Sequence, residues 1–170
     1  PGPSAIRRIL DDVSARTFRM HSVWHLPFDH HIVLAALADA DSYPTWWPQV
    51  REATRVDDTS GDAVLRSLLP ISLRVHVRED IVDPAAGVLQ ARVDGDLTGW
   101  TRWTIHPGTP AHGCRAEFRQ VVDLTTPLPL PLIRVGRPIL HANHRFMMWS
   151  GRRGLIRHLN CARIRGEFSY

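Results

Sequence analysis

Leu132–Leu159 reads LIRVGRPILHANHRFMMWSGRRGLIRHL, and this stretch decides the architecture of a chain of 170 residues. Leu140, His144, Met147, Met148, Gly151, Leu155, His158 and Leu159 recur at spacings of three and four, so on an α-helix they share one face. Arg145, Arg152, Arg153 and Arg157 fall mostly away from it. The pattern predicts one long helix over Pro131–Asn160. A bend or a restart is expected at Pro138, because an interior proline removes a backbone donor and crowds the preceding turn. Gly151 and Gly154 each cost about 1 kcal/mol against alanine in a helix interior. Their spacing predicts a notch where the helix backbone approaches the sheet closely.

Upstream of the helix the sequence alternates. Thr17–Leu26 (TFRMHSVWHL) sets Phe18, Met20, Ser22, Trp24 and Leu26 against Thr17, Arg19, His21, Val23 and His25, the period of a half-buried strand, which Pro27 ends. Asp29 is placed to cap a short helix through HHIVLAALAD, and Asp41-Ser42 start a second short turn into YPTWWPQV. Val50–Val56, Ala63–Leu69, Ile71–Val82, Val88–Val93, Leu97–Ile105 and Cys114–Leu124 then read as strands, separated by turn sequences such as Asp57-Asp58-Thr59-Ser60-Gly61. Such short connections predict an antiparallel meander with one covered and one wet face. In the strand from Ile71, for example, Leu73, Val75, Val77 and Ile81 alternate with Arg74, His76, Arg78 and Asp80.

The covered face is irregular in an informative way. Leu97, Gly99, Thr101, Trp103 and Ile105 mix small and polar positions with large ones, and Glu79 and Gln120 interrupt otherwise apolar stripes. Polar groups on such a face need partners. Either a cavity holding water or ligand supplies them, or Glu79 meets an arginine and Gln120 meets backbone near a sheet end. Trp46 and Trp47, between Pro44 and Pro48, are held together by stiff backbone. They serve either as a plug that seats the short helices on the sheet or as a wall for an apolar ligand.

Composition narrows the function classes. The chain fits one domain, with 44% hydrophobic residues to build its core. All 21 basic residues are arginine, spread along the chain among acidic ones, a distribution unlike the clustered patch of a nucleic-acid binder, so a net charge of +4 is a weak clue. Cys114 and Cys161 have no metal or redox spacing and are expected to be reduced and buried. No run is long and apolar enough for a transmembrane helix, and the first residues lack a secretory apolar core, so a cytoplasmic protein is expected. Ala5–Val13 can form a short amphipathic helix, giving an N-terminal extension over residues 1–15 ahead of a single domain over 16–170.

The order strand, two short helices, six strands and a long C-terminal helix resembles the START-like (SRPBCC, Bet v 1-type) helix-grip superfamily. Asp41-Ser42-Tyr43-Pro44-Thr45-Trp46-Trp47-Pro48, Gly95-Asp96-Leu97 with Gly99 and Trp103, and Asn143-His144 followed by Met148, Gly151, Gly154 and Leu155 resemble its polyketide cyclase/dehydrase and lipid-transport branch, found in many bacteria. The resemblance implies an α+β fold: a curved antiparallel sheet of about seven strands wrapped around the long helix, with a deep apolar tunnel between them. It implies no cofactor and no shared catalytic motif. The expected tunnel wall comprises Trp47, Leu73, Val75, Val77, Glu79, Ala91, Trp103, Phe118, Gln120, Asn143, His144, Met147 and Met148.

Chemical motifs are few. HExxH, GxSxG and CxxC are absent, and no third ligand accompanies His141 and His144, so no metal site is expected. His30 and His31 are adjacent on a helix and expected to diverge. His144 is the best acid/base candidate, because an imidazole beside Asn143 on the tunnel-facing stripe can serve the enolisation and dehydration steps of ring closure. The alternative for it is a packed histidine bonded to backbone. Three functions stay open: a carrier of a hydrophobic small molecule, a cofactor-free cyclase, aromatase or dehydratase, and an accessory protein-interaction domain. The expected partner is an apolar ligand, with no nucleic acid and no integral membrane contact, in a monomer or homodimer.

Overall fold

In a computed structural model, described for residues 17–66, 68, 71–108, 113–125 and 130–166 with the side chains of 130–137 excepted, the alternation becomes one sheet. Its strands are β1 (Thr17–Leu26), β2 (Val50–Asp57), β3 (Ser60–Arg66), β4 (Ser72–Asp83), β5 (Val88–Gly95), β6 (Leu97–Pro107) and β7 (Cys114–Leu124). Every neighbouring pair is antiparallel, in the order β1-β7-β6-β5-β4-β3-β2. Helix α1 (His30–Ala38), a 3-10 turn (Ala40–Ser42) and helix α2 (Tyr43–Trp46) carry the chain from one sheet edge to the other. Helix α3 (Leu130–Ile164) follows β7. This is the helix-grip arrangement expected. The expected Ala5–Val13 helix lies outside the described residues.

Asp29 caps α1 as read, its Oδ1 accepting from the His31 N–H at 2.8 Å. Besides shifts of a few residues at element ends, three features differ from the sequence reading. Strand β3 begins at Ser60 rather than Ala63, because the β2–β3 turn needs only Asp58 and Thr59; the Asp57 carboxylate takes the Thr59 N–H at 2.8 Å and Asp57 pairs with Ser60. In β4 an extra residue between Glu79 and Ile81 shifts the register. It turns Ile81 off the covered face and puts Val82 there, opposite Leu89. Helix α3 runs through Pro138 without a restart, and that proline is exposed.

The core is concentrated at one end. Trp24, Leu26, Phe28, Val33, Leu37 and Trp46 pack with Ile105 and Ala116 of the sheet and Leu155 and Leu159 of α3. Gly151 and Gly154 form the notch, but against α2 and its flank rather than against the sheet. A Cβ on Gly151 would stand 2.5 Å from Trp47 Cε2, and one on Gly154 would fall on the Trp46 carbonyl oxygen. The backbone therefore comes as close as glycine permits. On the wet face, Glu117 accepts from Arg119 Nε at 2.7 Å and Arg115 Nη2 at 3.2 Å and pairs with His21 Nε2 at 3.0 Å. Cys114 is buried as expected, and burial lifts its thiol to about 11. Cys161, on the solvent side of α3, is exposed, contrary to expectation.

Candidate functional site

Beyond the packed end, sheet and helix separate around a partly open cavity of about 410 Å³. The register explains its wall. Val82, Leu89, Trp103 and Phe118 lie across one row of strands, and Val77, Val93, Gly99, Val122 and Phe18 across another. Between them runs a row of Glu79, Ala91, Thr101, Gln120 and Met20. A polar band thus crosses an otherwise apolar floor. Leu140, Asn143, His144, Met147 and Met148 of α3 form the roof, and Tyr43, Trp47 and Leu37 close one side.

The wall residues expected from sequence all line this one cavity: Leu73, Val75, Val77, Glu79, Ala91, Trp103, Phe118 and Gln120 from the sheet, Trp47 from the turn, and Asn143, His144, Met147 and Met148 from the helix. Trp46 and Trp47 divide the two roles considered for them. Trp46 is buried in the core and lies close against the helix notch. Trp47 is wall and clamp at once, its Nε1–H donating to the Met147 carbonyl at 3.1 Å while its ring meets Trp24 at 5.7 Å. Tyr43 donates its hydroxyl to the Leu37 carbonyl at 2.7 Å, and burial raises its pKa further above the ordinary phenol value.

His144 lies over Phe118, ring centroids 6.0 Å apart. Burial, with a smaller contribution from His141, pushes its pKa down to about 4, so the ring is neutral at physiological pH. Its Nε2 is buried without a hydrogen-bond partner among the described residues, so no described backbone group bonds the histidine through that atom. Asn143 donates from Nδ2 to Met147 Sδ at 3.8 Å.

Sequence reasoning missed the polar end. Asp41, Arg55, Asp58 and Asp62 also line the cavity, beside Glu79. Arg55 Nε donates to Asp41 Oδ2 at 2.8 Å, tying the 3-10 turn to β2. That contact, with weaker attraction from Glu79 and Asp39, raises the guanidinium pKa. The signal lay in the β2 register. Ala53 pairs with Ala63 and Arg55 with Gly61, which sets Arg55 on the covered face.

Two other clusters bear on expectation. His30 and His31 do not diverge. Their rings lie 3.8 Å apart, and with Asp29 they make the one group of potential metal donors within 4.8 Å of one another among the described residues. Asp29 is already engaged as the cap, and a helix N-terminus disfavours a cation, so the cluster reads as a capped helix start. On the outside of α3, Arg145, Trp149, Arg153 and Arg157 follow at intervals of four, with Trp149 53% exposed and the Arg153 guanidinium 4.9 Å from its ring centroid. Arginine is therefore less evenly distributed in space than along the chain. No helix among the described residues is long and apolar enough to cross a membrane.

The fold has solved counterparts. A protein from Thermus thermophilus superposes with a TM-score of 0.72 at 16% identity, covering 85% of this chain and 99% of that one. The Zhui aromatase/cyclase from Streptomyces sp. R1128 gives 0.68 at 14% identity, covering 91% and 99%. A START superfamily protein from Mycobacterium smegmatis gives 0.64 at 14% identity, covering 84% and 97%. No curated protein matches the sequence. Residues 17–146 match the family described as polyketide cyclase / dehydrase and lipid transport, and the chain, whose seven-stranded sheet grips α3 in the helix-grip fold, belongs to that family.

Proposed function

We propose that the protein binds an apolar small molecule between the sheet and α3. The observation that carries this reading is the cavity itself: about 410 Å³, within the range of roughly 300–1,000 Å³ typical of ligand pockets, and walled mainly by aliphatic and aromatic side chains. Trp103, Phe118 and Trp47 offer flat faces, and the band of Thr101, Gln120 and Glu79 offers polar atoms at one level. A ligand with a planar or extended apolar body and a polar group partway along it fits this lining. The description of the family, polyketide cyclase / dehydrase and lipid transport, supports the same class.

A second reading, cyclase or aromatase chemistry on the bound molecule, draws on His144. A neutral imidazole on the cavity wall, with one ring nitrogen unpartnered, can accept a proton from an enolising carbon of a held chain, and cavity shape supplies the folding. The structural likeness to the Zhui aromatase/cyclase supports the fold such chemistry uses.

Met148→Trp tests the first reading. Met148 is 4% exposed and borders the cavity, so an indole at this position has the void to enter. Uptake of a neutral hydrophobic dye is expected to weaken about tenfold or more, while stability changes by less than about 1 kcal/mol; in a close-packed core the added volume costs about 1–3 kcal/mol. Unfolding by Met148→Trp, or a parent protein with no saturable dye uptake, would overturn it. Native mass spectrometry of freshly purified protein, with extraction of any bound molecule, identifies the ligand. Conversion of an extracted polyketide-like chain, lost in His144→Leu, would select the second reading.

A further inference from the structure

We propose that the cavity selects by charge, admitting apolar molecules whose polar group is neutral or a protonated amine and rejecting carboxylates. The inference rests on the binding reading above and specifies the ligand class for the same site.

Among the described residues, the charged groups of the lining are Asp41, Arg55, Asp58, Asp62 and Glu79, four carboxylates against one guanidinium. Arg55 is committed to Asp41 at 2.8 Å, and its Nη1 reaches the Asp58 carbonyl at 3.5 Å. Asp62 meets His76 at 2.8 Å. Neither Asp58 nor Glu79 has an ion pair among the described residues, although Glu79 feels the Arg55 field. The Glu79 N–H donates to the Thr59 carbonyl at 2.8 Å, which sets Glu79 beside the β2–β3 turn that carries Asp58. Both carboxylates line the cavity and both are exposed, so they flank its solvent-facing end.

Among the described residues, the opposite wall offers no compensating cation. His144 is neutral at physiological pH, and Thr101, Gln120 and Asn143 are uncharged. A carboxylate entering here would lose hydration to apolar surface and meet like charge, both unfavourable. An ammonium group loses hydration too, but finds acceptors in Glu79 and Asp58, and a hydroxyl or carbonyl finds Thr101 and Gln120. The four carboxylates are exposed, so their field acts at the cavity's solvent-facing end and is screened by salt. The net charge of the whole chain is +4, so non-specific attraction would favour carboxylates, the reverse of the order expected from the cavity.

The test is displacement of the neutral dye N-phenyl-1-naphthylamine from the full chain by dodecylamine, dodecanol and dodecanoate, below their aggregation limits, at neutral pH and low ionic strength. The amine is expected to compete best and the carboxylate worst, with about a tenfold or larger separation that narrows in about 1 M salt. In Glu79→Gln/Asp58→Asn the separation is expected to fall to within a few-fold. Dodecanoate competing as well as dodecylamine, or a separation unchanged in the double variant, would overturn charge selection while leaving apolar binding intact. A dye that never enters the protein would sink the binding reading and this inference with it.

Discussion

Gly154→Ala is expected to destabilise the protein by about 3 kcal/mol or more, a large effect for the addition of one methyl group. Alanine is the better helix former by about 1 kcal/mol, so helix propensity alone predicts the opposite sign. Sterics reverse it because the new Cβ would fall on the Trp46 carbonyl oxygen, and a backbone atom at the end of α2 cannot rotate aside. Gly151→Ala makes a useful contrast. Its Cβ would press on the Trp47 indole at 2.5 Å, a side chain that borders the cavity and can move into it. A cost of only about 1 kcal/mol is expected there, together with altered dye uptake. Urea denaturation of both variants decides the matter. A Gly154→Ala protein as stable as the parent would mean that α3 does not lie against Trp46.

Acid should weaken the fold through His144 in particular. Its folded pKa, about 4, lies below the ordinary histidine value of 6.5, so the unfolded chain binds the proton more readily. Folding is therefore unopposed by this group above pH ~6.5, and stability falls as pH drops through the window between ~6.5 and ~4, levelling off below. The full penalty is on the order of 3 kcal/mol. His144→Leu removes the titration and is expected to flatten that part of the stability profile, while carboxylates such as Glu117 and Asp80, whose pKa values their partners lower, continue to destabilise the fold in acid in both proteins. Parallel pH–stability curves for parent and variant between pH ~5 and ~7 would contradict the buried, neutral histidine.

Most of the architecture was legible because periodicity is a direct imprint of burial. The period of two in Thr17–Leu26 and Cys114–Leu124 returned both strands with their bounds, and the 3.6-residue stripe of α3 returned its inward face. The cavity wall was legible for the same reason. Gln120 and Glu79 broke apolar stripes at positions that the register aligns across the sheet. The rest depended on contacts between segments distant in sequence. The two glycines indicated a close approach, but only the packed structure shows that its partner is Trp46–Trp47. The bulge after Glu79, which exchanges Ile81 for Val82 on the inner face, has no local sequence marker. The polar end was missed because Arg55 and Asp41, in separate elements, look like ordinary surface charges until a salt bridge joins them.

The placement of the notch divides α3 into two mechanical regimes. From Gly151 onward the helix is locked, with Gly154, Leu155, Leu159 and Ala162 buried against the indoles and the core. From Leu140 to Met147 the same helix roofs a void, with no fully buried side chain. Amide protons of Leu155–Ala162 should therefore exchange with solvent only when the whole molecule unfolds, and those of Leu140–Met147 through a smaller opening. One continuous helix thus serves as anchor over one half and as roof over the other, and the exchange rates along α3 would trace the boundary between them.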